Sequence, residues 1–271
     1  MPRFRPVLVL LLVLLSAGCM DHDRPYELIA HRGASADAPE NTLAAFRLAW
    51  QQGADAIEGD FRLTADGELV CLHDRTTERT GGAGRVAAES TLEQLRELEY
   101  GGWKGPGWRG EPLPTLLEVM RTVPRRGRIY VELKGGPETV PAVRAALGRS
   151  GLRVDQVVVI AFDARTVEES KRTMPPVKAY WLTDFEREGE GWKPGAEEVL
   201  ATLERCLADG LDAEGRPEAL TEELRAGLRE RGLDLAAWTV DDADRARELI
   251  ALGVTGITTN RPQDLRAALE D

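Results

Sequence analysis

Short apolar runs alternate with amphipathic helical stretches along almost the whole chain beyond residue 25. Such alternation marks a parallel sheet wrapped by helices. Strand-like runs fall at Glu27–His31, Ala54–Arg62, Leu69–Leu72, Arg128–Lys134, Gln156–Phe162, Val177–Leu182, Gly210–Ala213, Leu233–Val240 and Gly256–Thr259. The run at Leu69–Leu72 folds back on its predecessor through the turn Ala65-Asp66-Gly67. Helical patterns cover Thr42–Gln52, Glu138–Leu147, Ala164–Arg172, Ala196–Leu207, Thr221–Arg231, Asp242–Leu252 and Gln263–Leu269. Thr42 is placed as an N-cap, and Gly232 stands where a helix C-terminus calls for glycine. Eight β-then-α units are enough to close a barrel, and 271 residues suit one such domain of roughly 250. The fold class is therefore α/β, a single (β/α)8 barrel.

The segment from Arg75 to Pro114 breaks the alternation. It is rich in glycine and holds one short helical pattern near Leu92–Leu98. Loops of this length in a compact domain are usually lids or inserted modules. Cys71 and Cys206 could pair in an exported protein, but two cysteines make no disulfide framework. Cys71 lies in an apolar run and reads as a small buried hydrophobe.

The N-terminus is a separate object. Arg3 and Arg5 precede the nine apolar residues Val7–Leu15, and Ser16-Ala17-Gly18-Cys19 follow. Nine residues are too few to span a bilayer, which takes about 20, but they suit a signal-peptide core. Small residues before a lone cysteine resemble a bacterial lipoprotein signal, in which Cys19 is lipidated and becomes the first residue. Residues 1–18 then form the signal, 19–25 a lipidated tether, and 26–271 the barrel domain with an insertion at about 75–114. The expected location is outside the cytoplasm, periplasmic or cell-surface, anchored to a membrane through Cys19. Secretion as a soluble protein is the alternative. With 35 basic and 46 acidic side chains, the net charge of −11 argues against nucleic acid as a partner and against adsorption to anionic lipid through a basic face.

Two of the three histidines fall between residues 31 and 74, at the ends of strand-like runs that flank a Glu-x-Asp pair, Glu58 and Asp60. Residues two apart on a strand project to one face. Glu132 and Lys134 repeat that spacing on a later strand. At the C-terminal ends of barrel strands such side chains reach the site built by the βα loops. Three convergent carboxylates without thiolates make a hard-oxygen site for one divalent cation, Ca²⁺ or Mg²⁺, rather than zinc. Histidine titrates nearest neutral pH, so His31 and His73 beside that cluster suggest proton transfer.

The motifs His-Arg-Gly-Ala at 31–34, Pro-Glu-Asn-Thr at 39–42, Glu-Gly-Asp at 58–60, Leu-His-Asp at 72–74, Val-Glu-Leu-Lys at 131–134 and Trp-Thr-Val at 238–240 together resemble the glycerophosphodiester phosphodiesterases. Those are metal-dependent TIM-barrel hydrolases of the phospholipase C-like type, with a small insertion after the second strand. The resemblance runs from about Leu28 to Pro262, is densest at 31–74 and thins between Pro175 and Gly210. It implies hydrolysis of glycerophosphodiesters to glycerol 3-phosphate and an alcohol, with one histidine as general base and the other as general acid. The order taken here makes His31 the base and His73 the acid. It also implies that Arg32 and Lys134 contact phosphate, that Glu40 lies near the site, and that Trp238 walls the glycerol carbons. Core packing would equally explain Trp238, and the same two readings apply to Phe162. Gly59 stands where the family usually has a bulkier residue, and Asn260 where it often has Asp; neither change removes a metal ligand.

Two other readings compete. A related barrel phosphodiesterase acting on intact phospholipids, with phospholipase C- or D-like activity, should show an apolar rim, for which Trp103 and Trp108 are the candidates. A tethered non-catalytic binding protein should lack an acid-base or metal residue, and none is missing. The sequence leaves the oligomeric state open.

Overall fold

The structure, a computed structural model, describes residues 24–270; the leader, Cys19 and most of the expected tether lie outside them. Nearly every expected element is present. The first half contains β1 (Glu27–His31), α1 (Leu43–Gln51), β2 (Ala56–Leu63), β3 (Leu69–Cys71), α2 (Glu78–Gly81), α3 (Leu92–Leu95) and α4 (Leu116–Met120). There follow β4 (Arg128–Leu133), α5 (Val140–Ser150), β5 (Val157–Ala161), α6 (Ala164–Thr173), β6 (Lys178–Thr183), β7 (Glu186–Glu188) and β8 (Gly191–Lys193). The chain ends with α7 (Ala196–Arg205), β9 (Gly210–Glu214), α8 (Glu222–Glu230), β10 (Asp234–Trp238), α9 (Ala243–Ala251), β11 (Gly256–Thr259) and α10 (Pro262–Glu270).

Eight parallel strands form a ring in the order β1, β2, β4, β5, β6, β9, β10, β11, closed by the pairing of β11 with β1. Strand β3 is antiparallel to the end of β2, as the Ala65-Asp66-Gly67 turn implied. Side chains alternate across the ring. Leu28, Ala30, Ile57, Val131, Val159 and Leu211 belong to the layer packed under the helices. Ile29, Ala56, Tyr130, Val158, Ile160, Tyr180 and Leu182 fill the barrel interior. At the N-terminal end polar groups plug the ring, with Glu27 accepting from Arg128 and Tyr130, and Asp234 from Tyr180. The C-terminal end is left for the site.

Four expectations need correction. The tether does not run free to residue 25, because Arg24 pairs with Asp55 at 3.2 Å and Glu270 at 2.9 Å. Between β6 and α7 the chain adds the hairpin β7–β8, three residues a strand, whose one hydrophobic side chain, Trp192 packed on the core, gives no alternation to read. The seventh barrel strand stops at Trp238, short of Val240. The insertion is more built than one helix, with a core of Val70, Leu72, Ala87, Leu95, Tyr100 and Leu113. Cys71 and Cys206 are both buried and unpaired, as a small-hydrophobe reading requires.

Candidate active site

The register of the ring decides which side chains meet. His31 lies opposite Glu58 on the β1–β2 pair, and Asp60 opposite Glu132 on the β2–β4 pair. All four face inward at strand ends, so ligand atoms of Glu58, Asp60 and Glu132 come within 4.8 Å of one another. The three carboxylates are buried. Burial, with the charges of Asp60 and Glu132 beside it, raises the Glu58 carboxyl well above its ordinary value. Burial and Asp60 likewise push Glu132 up to about 7 against the pull of Lys134. Burial acts the same way on Asp60, but Lys134 and Arg32 outweigh it and hold this carboxyl well below the usual range. Glu58 Oε1 has no hydrogen-bond partner. An orphaned buried oxygen among hard donors fits one hard divalent cation.

The backbone around β1 is shaped to deliver these groups. Arg32 and Gly33 take positive φ values of 57° and 78°. A Cβ on Gly33 would sit 2.6 Å from the carbonyl carbon of Ala45, so only glycine lets α1 approach so closely. Turned this way, Arg32 donates its backbone N–H to Glu58 at 2.9 Å, while its guanidinium reaches Asp60 at 3.0 Å and Glu40 at 2.9 Å. Lys134 Nζ lies 3.0 Å from Asp60 and also pairs with Glu132. Both cations expected at the phosphate thus stand directly on the carboxylate cluster.

The histidines have unlike partners. His31 Nδ1 is 2.7 Å from Asn260 Oδ1. The Asn260 amide nitrogen donates to Asp241, so its oxygen must face the ring, and Nδ1 must carry the proton. That leaves Nε2 of His31 as a lone-pair acceptor. Burial and the neighbouring Arg32 lower the His31 pKa. His73 Nδ1 instead lies 2.7 Å from the Asp74 carboxylate, which is held by Arg79. The hydrogen bond from Arg79 keeps Asp74 down at about 2.

His31, Arg32, Glu58, His73, Glu132 and Lys134 line one cavity of about 240 Å³. Phe162 and Trp238 form its apolar wall, edge to face at 5.6 Å. Phe162 is 44% exposed, which removes the core-packing reading for it. Glu40 is not in this cavity: it braces Arg32 and Arg79 and borders a neighbouring groove with Trp103 and Lys104. Trp103 is exposed and borders that groove, and Trp108 is half-buried.

Six residues escaped the sequence reading. Asn260 and Asp74 orient the histidines, and Arg79 holds Asp74. Asn41 donates to Asp60 and accepts from its N–H, while Thr42 caps the helix as expected. Arg62 ties the backbone of His73 to that of Lys134. Asp212 is buried in the cavity, and burial together with Glu132 raises it to about 8. The signal for Asp212 was its inward parity on β9; nothing local marks the roles of the rest.

A model of the glycerophosphoryl diester phosphodiesterase family matches residues 31–264. A glycerophosphodiester phosphodiesterase of Caldanaerobacter subterraneus is 31% identical over 242 residues, covering 88% of this chain and 95% of its own. Among solved structures, an Oleispira antarctica phosphodiesterase in complex with the product sn-glycerol-3-phosphate superposes with a TM-score of 0.80 at 26% identity, over 90% of this chain and 97% of that one. A glycerophosphodiester phosphodiesterase from Agrobacterium tumefaciens gives 0.74 at 26% identity, over 89% and 99%.

Proposed function

The chain belongs to the glycerophosphoryl diester phosphodiesterase family, and on that premise we propose how its residues hydrolyse a glycerophosphodiester to glycerol 3-phosphate and an alcohol. The observation that carries the proposal is the cluster of three buried carboxylates between two histidines whose Nδ1 atoms are already engaged. Glu58, Asp60 and Glu132 would hold one divalent cation, Ca²⁺ or Mg²⁺. It supplies Lewis-acid charge against the negative charge that gathers on the phosphoryl oxygens. Arg32 and Lys134 address the same oxygens, where cations count most at the top of the barrier. His31, neutral with a free Nε2, takes the proton of the attacking nucleophile. His73 gives a proton to the departing alkoxide, and Asp74 compensates its charged ring.

The test is phosphorus NMR of glycerophosphocholine turnover, with divalent cation added or chelated. Glu58→Gln, Asp60→Asn and Glu132→Gln should each weaken cation binding and cut turnover at least about 100-fold, with the barrel still folded. Full turnover by all three variants in chelator would remove the cation from the mechanism.

Export and anchoring are supported by sequence alone, through Arg3, Arg5, Val7–Leu15 and Cys19. Cys19→Ser should move the protein from the membrane to the soluble fraction. An unchanged distribution would defeat the lipid anchor.

A further inference from the structure

The mechanism uses every charged side chain lining the catalytic cavity except one. Asp212 lies on the inner face of β9, and it is 1% exposed. Its register partners are Leu182 on β6 and Ala236 on β10, neither of which offers a hydrogen bond to its carboxyl. Its Oδ1 is without any partner. A buried polar atom left bare destabilises the fold, a cost that a ligand can relieve.

The position of Asp212 narrows what that ligand offers. The cation site, Arg32, Lys134 and both histidines belong to β1, β2, β4 and the β3 end. The rest of the lining is Ile160, Phe162, Leu182 and Trp238 with Thr239 and Thr258, and Asp212 is the one carboxyl among them. Trp238 donates its ring N–H to the backbone oxygen of Asp212 itself, so the tryptophan wall and the carboxyl form one unit. Asp212 lies level with Leu182 and Ala236, one inward layer deeper than Trp238, whose register partner is Glu214. The enclosed end of a cavity suits the small, invariant half of a substrate, and the mouth suits the variable half. In a glycerophosphodiester the invariant half is glycerol, three carbons bearing two free hydroxyls. Its carbons match the apolar wall, but its hydroxyls lose water on entry and need a polar replacement.

We propose that Asp212 is the specificity-determining residue that receives the glycerol hydroxyls, selecting phosphate esters of glycerol over hydroxyl-free ones. The assignment rests on the hydrolytic reading above and names the group that reads its substrate. Sites built to hydrogen-bond a hydroxyl reject the analogue that lacks it far more strongly than apolar pockets discriminate by size.

Calorimetric binding of glycerol 3-phosphate, n-propyl phosphate and inorganic phosphate, with divalent cation supplied, isolates the effect. The three ligands share the phosphate end and differ in the hydroxyls. The unmodified protein should bind glycerol 3-phosphate about 100-fold more tightly than propyl phosphate. Asp212→Leu should reduce that ratio below about tenfold, with the isosteric Asp212→Asn in between. Affinity for inorganic phosphate should move less than about threefold in either variant, showing that the folded phosphate site survives. A preference that persists in both variants overturns the role of Asp212 while leaving the glycerol reading intact. Parallel loss of inorganic phosphate binding in both variants overturns it too, by showing a general structural role. No preference in the unmodified protein removes the glycerol reading, and this inference with it.

Discussion

Asn260 and Asp74 give two similar imidazoles different work. A neutral amide oxygen fixes the tautomer of His31, while a carboxylate offers His73 a compensating charge. His31→Ala and His73→Ala should each lower turnover by about 100-fold or more. A nitrophenyl ester needs no proton on its leaving group, so it should partly rescue His73→Ala and leave His31→Ala impaired. Equal loss on both substrates would cancel this division of labour. Because burial and Arg32 lower the His31 pKa, its base form persists below pH 6.5. The acid limb of kcat/KM assigned to it should therefore lie below the ordinary histidine value, and a limb above 6.5 would contradict the assignment. His31, Glu58, Asp60, Glu132 and Lys134 were legible because strand parity and residue chemistry are local properties. Asn260 was not, since its use depends on a partner 229 residues away across the closing seam of the ring.

Elements were legible where burial is one-sided and obscure where the site intrudes. Strand β9 reads weakly because its inward positions are Gly210 and Asp212, leaving Leu211 and Ala213 as its only regular apolar signal. The insertion reads as a loop because its small core of single residues is scattered over 44 positions, from Val70 to Leu113. Its function is clearer in three dimensions. Arg79 on α2 bonds Glu40 through two nitrogens and Asp74 through a third, so the insertion links His73 to the Arg32 brace. Arg79→Met keeps the length of the side chain and removes these bonds. Its ion pairs are partly exposed and worth about 0–1 kcal/mol to stability, so the melting temperature should change little. Turnover should nonetheless fall about tenfold, as it does when groups that orient active-site ligands are lost. A large drop in melting temperature, or unchanged turnover, would show that the insertion is scaffolding alone.

At the scale of the whole molecule, the site is a local cost that the barrel carries and a cation offsets. Glu58, Glu132 and Asp212 have carboxyls raised by burial, Glu132 to about 7 and Asp212 to about 8. A raised carboxyl stabilises the fold fully below its unfolded value, 4.5 for the glutamates and 3.8 for Asp212, and that contribution is lost as pH rises through the folded value. Asp60 runs the other way, since its depressed carboxyl contributes above 3.8 and fails only in strong acid. In chelator, then, stability should fall between pH 5.5 and 8.5. A shift of roughly two units is worth on the order of 3 kcal/mol, which for a chain of this size means a fall in melting temperature of at least about 5 °C. A cation binds the deprotonated carboxylates, so its stabilising effect should grow over the same pH range. Thermal melts across that range, with and without millimolar Ca²⁺ or Mg²⁺, check both signs together. A flat curve in chelator with a constant gap would mean that the cluster does not hold the cation. Glu132→Gln separates the two effects, because a neutral amide neither loses a proton nor binds the ion well. That variant should be more stable than the unmodified protein in chelator at pH 8.5, and less stabilised by the cation.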